Sequence, residues 1–186
     1  MTASMQNKAE LRATLLALRS AITADQRPLY DHQIAIKILE WWAVARTPTL
    51  GVYWPMRGEP DLQGIYAVLV AQGVQLALPV VVSDDAPLKF VAWTPGDPLT
   101  SDRFGSAIPA RSEPELQPQA LLIPCVGFSR ERFRLGYGGG FYDRTLALAP
   151  RPYSIGVAYA ITETTFAADP YDIALDVVMT EEQTLP

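Results

Sequence analysis

The sequence predicts an α/β fold of three layers, α/β/α, built on a mixed, mostly parallel, Rossmann-like sheet. Three observations predict it. Segments with helical spacing alternate along the chain with short β-branched and apolar runs, as strands joined by crossover helices do. The most apolar run, residues 120–128, leads through a polar turn into a glycine-rich segment and then a helical pattern. Finally, 49% hydrophobic and 19% charged residues over 186 positions is an ordinary globular composition, so one domain over residues 1–186 is expected.

Residues 6–20 carry Leu11, Leu15, Leu16 and Leu18 at helical spacing among Lys8, Arg12 and Arg19. One face packs, and Lys8 and Arg12, four positions apart, share another. Thr23 with Gln26 has the form of a capping box and opens a second helix running to about Trp42, with Ile34, Ile38 and Trp41 on one side. Thr49–Trp54 reads as a buried strand and ends in a polar loop, residues 55–61, in which Asp61 is a candidate N-cap. The helix it opens carries Leu62, Ile65 and Leu69 and stops near Gly73. Val74–Val82 and Leu88–Trp93 read as strands, whereas 95–119, rich in Pro, Ser, Gly and charge, has no period and reads as a long loop. Strand Ala120–Phe128, a helix from Phe141 to Ala149, and strands Tyr153–Tyr159 and Ile173–Met179 complete the layers.

Composition narrows the chemistry. Cys125 is the only cysteine and sits in an apolar run, which predicts a buried, inert thiol and no internal disulfide. His32 is the only histidine and falls in a helix, so a Ser-His-Asp triad or a multi-histidine metal site is not expected. A net charge of −5 argues against a broad nucleic-acid surface. Lys8, Glu10 and Arg12 break the N-terminal apolar residues, and no stretch reaches the roughly 20 apolar residues of a membrane span, so a cytoplasmic address and no membrane partner are expected.

The segment Arg134-Leu135-Gly136-Tyr137-Gly138-Gly139-Gly140-Phe141-Tyr142-Asp143-Arg144 is the chemical signal. Four glycines in five positions free the backbone to aim several N–H groups at one anion, and a helix N-terminus follows. A triphosphate is the natural guest, with Arg134 and Arg144 as charged donors and Asp143 within reach of a bridging magnesium ion. The segment is neither a Walker A loop nor the spaced dinucleotide pattern. Of the two aromatic residues that open the helix, Phe141 is expected to be the buried one.

The stretch VGFSRERFRLGYGGGFYDR, together with KAELR at residues 8–12, YWPMRGEPD at 53–61 and LDVVMT at 175–180, resembles the signature of the 5-formyltetrahydrofolate cyclo-ligase family, in the family's order and over nearly the whole chain. The resemblance implies an ATP- and magnesium-dependent ring closure of 5-formyltetrahydrofolate, with or without a polyglutamate tail, to 5,10-methenyltetrahydrofolate, releasing ADP and phosphate. It implies that Lys8 and Arg12 grip ATP phosphates and that Arg134, Leu135, Gly136, Tyr137, Gly138, Gly139, Gly140, Phe141 and Tyr142 form the nucleotide cradle. Arg134, Tyr142 and Asp143 would serve the reaction, and Asp143, with Asp176 as a second candidate, would hold magnesium. Glu59 would hydrogen-bond the pterin N–H groups, with Trp54 and Met56 lining its slot and Tyr142 near the formyl group. A monomer is expected.

Three positions depart from the family pattern: Ser129 stands where an aspartate is usual, Arg132 where a glycine is, and Thr162 where a glutamine is. Arg132 is expected to force a different turn, because a positive φ is costly for arginine. Two other readings stay open at this point. One is a divergent relative that binds folate or nucleotide without turnover; the other is a nucleotide-independent enzyme such as a sugar-phosphate isomerase.

Overall fold

The computed structural model describes residues 7–186, so position 6 of the expected first helix lies outside the described residues. Helix α1 (Lys8–Ser20) is capped by Asn7, whose side chain accepts from the Ala9 N–H at 3.0 Å. The Thr23–Gln26 box forms one turn before α2 (Arg27–Ala45), with the Thr23 N–H donating to Gln26 Oε1 and the Gln26 N–H to Thr23 Oγ1, each at 3.3 Å. Helix α2 outlasts its expected end and stops where Arg46 turns left-handed, at φ 52°. Its buried face is completed by Trp42, while Trp41 stacks on Tyr153 at the core margin. His32 is exposed on this helix.

The chain then runs through β1 (Thr49–Gly51), α3 (Gln63–Ala71), β2 (Gln75–Val80), β3 (Lys89–Ala92), β4 (Leu99–Ser101), β5 (Ala107–Pro109), β6 (Glu115–Leu116) and β7 (Ala120–Pro124). It continues with β8 (Gly127–Phe128), β9 (Arg134–Leu135), α4 (Phe141–Leu146), β10 (Tyr153–Val157), β11 (Val177–Met179) and β12 (Thr184–Leu185). The Asp61 carboxylate accepts from the Gln63 N–H at 2.9 Å, as an N-cap would, at the start of α3.

Eight strands form one sheet in the order β12-β11-β10-β7-β1-β2-β3-β6. The central five, β11 to β2, are parallel, with Leu50 opposite Leu76 and Ala120, and Ile155 opposite Leu122 and Val177; β12, β3 and β6 join antiparallel. Alternate residues of these strands serve opposite faces. Leu50, Leu76, Leu78, Leu122 and Ile155 meet α2 and α3, and Ala77, Leu121, Ile123 and Val178 meet Leu146 and Tyr142 of α4. The sheet is therefore covered on both sides, but α4 is shorter than expected, and its layer is thin.

The 95–119 segment departs most from expectation. It is not structureless: β4 and β5 pair as a hairpin, and β6 extends the main sheet beside β3. Asp102 builds the hairpin turn by accepting at Oδ1 from the N–H groups of Phe104 and Ser106, both at 2.8 Å. Cys125 is free and buried, and burial pushes its thiol up to about 12, in line with the inert role expected of it. No helix among the described residues is long and apolar enough to cross a membrane.

Gly51 sits in the central strand where a Cβ would collide with the Leu121 side chain and come within 2.8 Å of the Phe90 ring. Gly51→Ala should therefore cost about 1–3 kcal/mol through overpacking. Equilibrium urea unfolding should show a lower midpoint at unchanged slope; an unmoved midpoint would mean that Leu121 and Phe90 repack freely.

Candidate active site

From β1 the chain crosses through α3 to β2 on one side, and from β7 it proceeds through α4 to β10 and β11 on the other. The loops after β1 and β7 thus part above the carboxyl ends of adjacent parallel strands, where a crevice must open. A cavity of about 490 Å3 lies there. Its walls are the loop after β1 (Tyr53, Trp54, Met56, Glu59), the end of β2 (Pro79, Val81), the glycine-rich loop, Lys8 and Arg12 of α1, Phe104 and Ser106 of the β4–β5 turn, and Asp169 and Asp172.

Helix α1 reaches the cavity because Leu11 and Leu15 pack on Val126 and Leu135, laying the helix across the β8–β9 hairpin that supports the glycine-rich loop. Arg12 then donates from Nε to the Gly136 carbonyl at 2.7 Å. Lys8 Nζ lies 2.6 Å from Asp169 and 2.8 Å from Asp172. Burial opposes the Lys8 charge, but the two carboxylates outweigh it and raise the ammonium above its ordinary value. In the loop Gly138 has φ 100° and Gly140 φ 66°, conformations costly for other L-residues, which accounts for glycine at both. Arg134 donates from Nη2 to Asp143 Oδ2 at 3.0 Å and lies over the Tyr142 ring, while Asp143 Oδ1 accepts from the Ile173 N–H at 3.3 Å.

Another part of the cavity wall is built around Glu59, which is 4% exposed. Its Oε2 accepts from the Met56 N–H at 3.0 Å and its Oε1 from the Tyr137 hydroxyl at 2.8 Å. Burial pushes the carboxyl above its usual range, against those two hydrogen bonds and the charges of Arg19 and Arg57. Trp54 meets Trp93 edge-on at 5.7 Å, and Met56 Sδ accepts from Ser106 Oγ at 3.7 Å, so the slot beside Glu59 is apolar with a polar end.

Lys8, Arg12, Trp54, Met56, Glu59, Arg134 to Tyr142 and Asp143 all line this cavity. Three expectations need correction. Asp176 precedes β11 at the opposite end of the parallel strands, where its Oδ2 accepts from the Ser154 N–H and Oγ at 2.7 Å and lies 3.3 Å from Arg151, and it does not line the cavity that Asp143 lines. Arg144 is tied to the carbonyls of Asp84, Ala86 and Gly139, pinning the glycine-rich loop to the β2–β3 connection instead of facing the cavity. Tyr142, not Phe141, packs against the core, and Phe141 meets Phe104 edge-on. Because α4 has only six residues, the loop N–H groups and cations carry most of the local positive potential.

Sequence reasoning missed Arg19, Asp169, Asp172 and the β4–β5 turn. For Arg19 a signal existed: at 3.6 residues per turn, Lys8, Arg12 and Arg19 fall within about 40° of one another, beside the Leu11–Leu15 stripe. Of the departures, Arg132 does adopt a positive φ, 66°, so the turn expected to change is kept. The Arg132 N–H donates to the Ser129 carbonyl at 2.9 Å and the Ser129 N–H to the Phe133 carbonyl at 3.0 Å. Bonds from Arg132 Nε to the Leu175 carbonyl (3.0 Å) and from Nη1 to the Pro186 carbonyl (2.5 Å) offset the strain. Ser129 Oγ is buried without a partner among the described residues.

The model of the 5-formyltetrahydrofolate cyclo-ligase family matches residues 4–181. A 5-formyltetrahydrofolate cyclo-ligase of Mycoplasma pneumoniae is 29% identical over 183 residues, covering 95% of this chain and 99% of that protein. One from Escherichia coli K12 is 32% identical over 133 residues, covering 69% and 73%. Among solved structures, a 5,10-methenyltetrahydrofolate synthetase from Mycoplasma pneumoniae superposes with a TM-score of 0.79 at 25% identity, over 95% of this chain and 99% of that one.

Proposed function

The chain belongs to the 5-formyltetrahydrofolate cyclo-ligase family, and from that premise we propose that it closes 5-formyltetrahydrofolate to 5,10-methenyltetrahydrofolate using ATP and magnesium, with release of ADP and phosphate. One observation carries the reading: a single cavity is lined both by the glycine-rich loop with Lys8, Arg12 and Arg134 and by a buried carboxylate, Glu59.

The residues fit both guests. Lys8, Arg12 and Arg134 offer charged donors, and Gly136–Gly140 offer backbone N–H groups, which together suit the oxygens of a triphosphate. Asp143 supplies the single carboxylate that magnesium needs when phosphates and water complete its shell. When bound, ATP would supply the phosphoryl group that turns the formyl oxygen into a leaving group, and magnesium would neutralise charge on the phosphates. Glu59 orients the pterin by accepting from its N–H groups. Trp54, Met56 and Phe104 exclude water from the apolar slot. Tyr142, whose phenol burial pushes up, stays protonated and offers a neutral donor toward the formyl group. No protein nucleophile is required, which accords with a buried Cys125 and an exposed His32.

The test is the absorbance of the methenyl product when the purified protein meets 5-formyltetrahydrofolate with and without ATP and magnesium. A rise that needs both supports the proposal. No rise, while ATP still raises the melting temperature, would mean that the loop binds nucleotide but the substrate is another molecule.

A further inference from the structure

Arg19 is the largest side chain wholly enclosed in the protein, at 1% exposure, and nothing in the proposed reaction uses it. Its Nη1 donates to the Cys125 carbonyl at 3.3 Å, and its Nη2 donates to the Arg57 carbonyl at 2.9 Å and to the Tyr137 hydroxyl oxygen at 2.8 Å; Nε is buried without a partner among the described residues. A guanidinium has donors only. The Tyr137 oxygen must therefore accept from Arg19, which leaves the phenolic proton to point at Glu59 Oε1, 2.8 Å away. The Met56 N–H occupies one lone pair of Oε2 in the same way. Each carboxylate oxygen is left with one acceptor position, so Glu59 retains two acceptors, enough for two N–H donors on a heterocycle.

We propose that Arg19 is a positioning residue that acts through Tyr137 to keep Glu59 ionised and its two remaining acceptors aimed at the pterin; this rests on the folate reading of the cavity. Arg19 also ties together the loop after β1, through Arg57, the end of β7, through Cys125, and the glycine-rich loop, through Tyr137, so two loops of the cavity wall share one buried anchor. The charged and titratable groups around Glu59 include Arg19 of α1, Arg57 of its own loop, Arg27 of α2, which donates from Nη1 to the neighbouring Gly58 carbonyl at 2.7 Å, Tyr137 of the glycine-rich loop, Tyr53 after β1, Tyr66 of α3, Cys125 after β7 and Tyr142 of α4. The four phenols and the thiol are all held above their ordinary values and are neutral, so the charges that hold the Glu59 carboxyl down are those of Arg19 and Arg57.

The sign follows. Burial raises the Glu59 carboxyl, and the Tyr137 hydrogen bond and Arg19 hold it down, so removing either raises it further. The experiment is the affinity of the purified protein for 5-formyltetrahydrofolate from acid to mildly alkaline pH, for the wild type, Tyr137→Phe and the charge-removing Arg19→Gln. Tyr137 is partly exposed, so Tyr137→Phe is expected to fold even where Arg19→Gln does not. The expected result is an acid limb displaced toward higher pH in both variants. The loss would be about tenfold on that limb for each pH unit of displacement and would shrink as the pH rises. Loss of the same factor at every pH, as from mere loosening of the fold, would overturn the inference alone. A wild type that does not bind the folate at all would overturn the proposed function and this inference with it.

Discussion

Glu59→Gln should weaken 5-formyltetrahydrofolate binding by roughly 10²- to 10³-fold, because each hydrogen bond to a charged acceptor contributes about 1.5–3 kcal/mol and a glutamine turns one acceptor into a donor facing a donor. The substitution keeps volume and shape. The glutamine oxygen still accepts from the Met56 N–H, so the loop after β1 keeps its turn. ATP affinity should move by less than about threefold, because Glu59 hydrogen-bonds to Met56 and Tyr137 and to none of Lys8, Arg12 and Arg134. Stability supplies an independent check. A carboxyl whose folded value is raised by burial contributes stability that is complete below its unfolded value and is lost as pH rises through the folded one. At neutral pH the fold therefore carries a cost for the ionised group that a neutral glutamine does not, and the melting temperature of Glu59→Gln should not fall. Titration calorimetry with each ligand and a thermal melt decide it. Equal loss of both ligands, or a melting temperature several degrees lower, would mean that Glu59 holds the loop together and not the folate.

What could be read from the sequence divides along physical lines. Strands in the parallel centre are nearly continuous apolar runs, so β7 and β10 stand out, and the capping box at Thr23 is a local hydrogen-bond pattern whose parts lie three residues apart. The β4–β5 hairpin was not legible. Its strands are three residues each, and its turn is made by an aspartate side chain, which leaves no hydrophobic period to count. The two-residue strands β6 and β12 exist only because longer neighbours offer an edge, and β8 and β9 only because they pair with each other, tertiary causes that no local window contains.

The site shows the same division. The glycine-rich loop is contiguous and was found; Glu59 and the α1 cations were reached only through resemblance, since a loop carboxylate and a helix face with two cations are common. Asp176 was misplaced because its position at the start of a strand does not reveal which end of the sheet that strand begins at. Parallel pairing with β10 puts it at the end away from the cavity. Arg19 went unread because an arginine on a helix is ordinarily solvated, and only the packing of Leu15 beside it turns it inward.

Asp143→Asn should lower turnover by 10²-fold or more, on the order expected for loss of a group that places charge at a phosphoryl-transfer site, while the fold persists. The reason for asparagine is Arg134. That guanidinium is 8% exposed at its side chain and has Asp143 Oδ2 as its carboxylate partner at 3.0 Å. Asp143→Ala removes turnover as well, but it leaves a nearly buried cation unpaired at a cost of about 1–3 kcal/mol, which mixes chemistry with stability. Asparagine keeps an oxygen for Arg134, gives up only the longer bond from the Ile173 N–H, and removes the charge that a divalent ion needs. Magnesium titration separates the roles. Wild-type affinity for ATP should rise when magnesium is added; in Asp143→Asn the magnesium-free affinity should persist and the increment should vanish. If the increment and turnover both survive, the carboxylate serves only as the partner of Arg134, and the metal is held by phosphate oxygens and water alone.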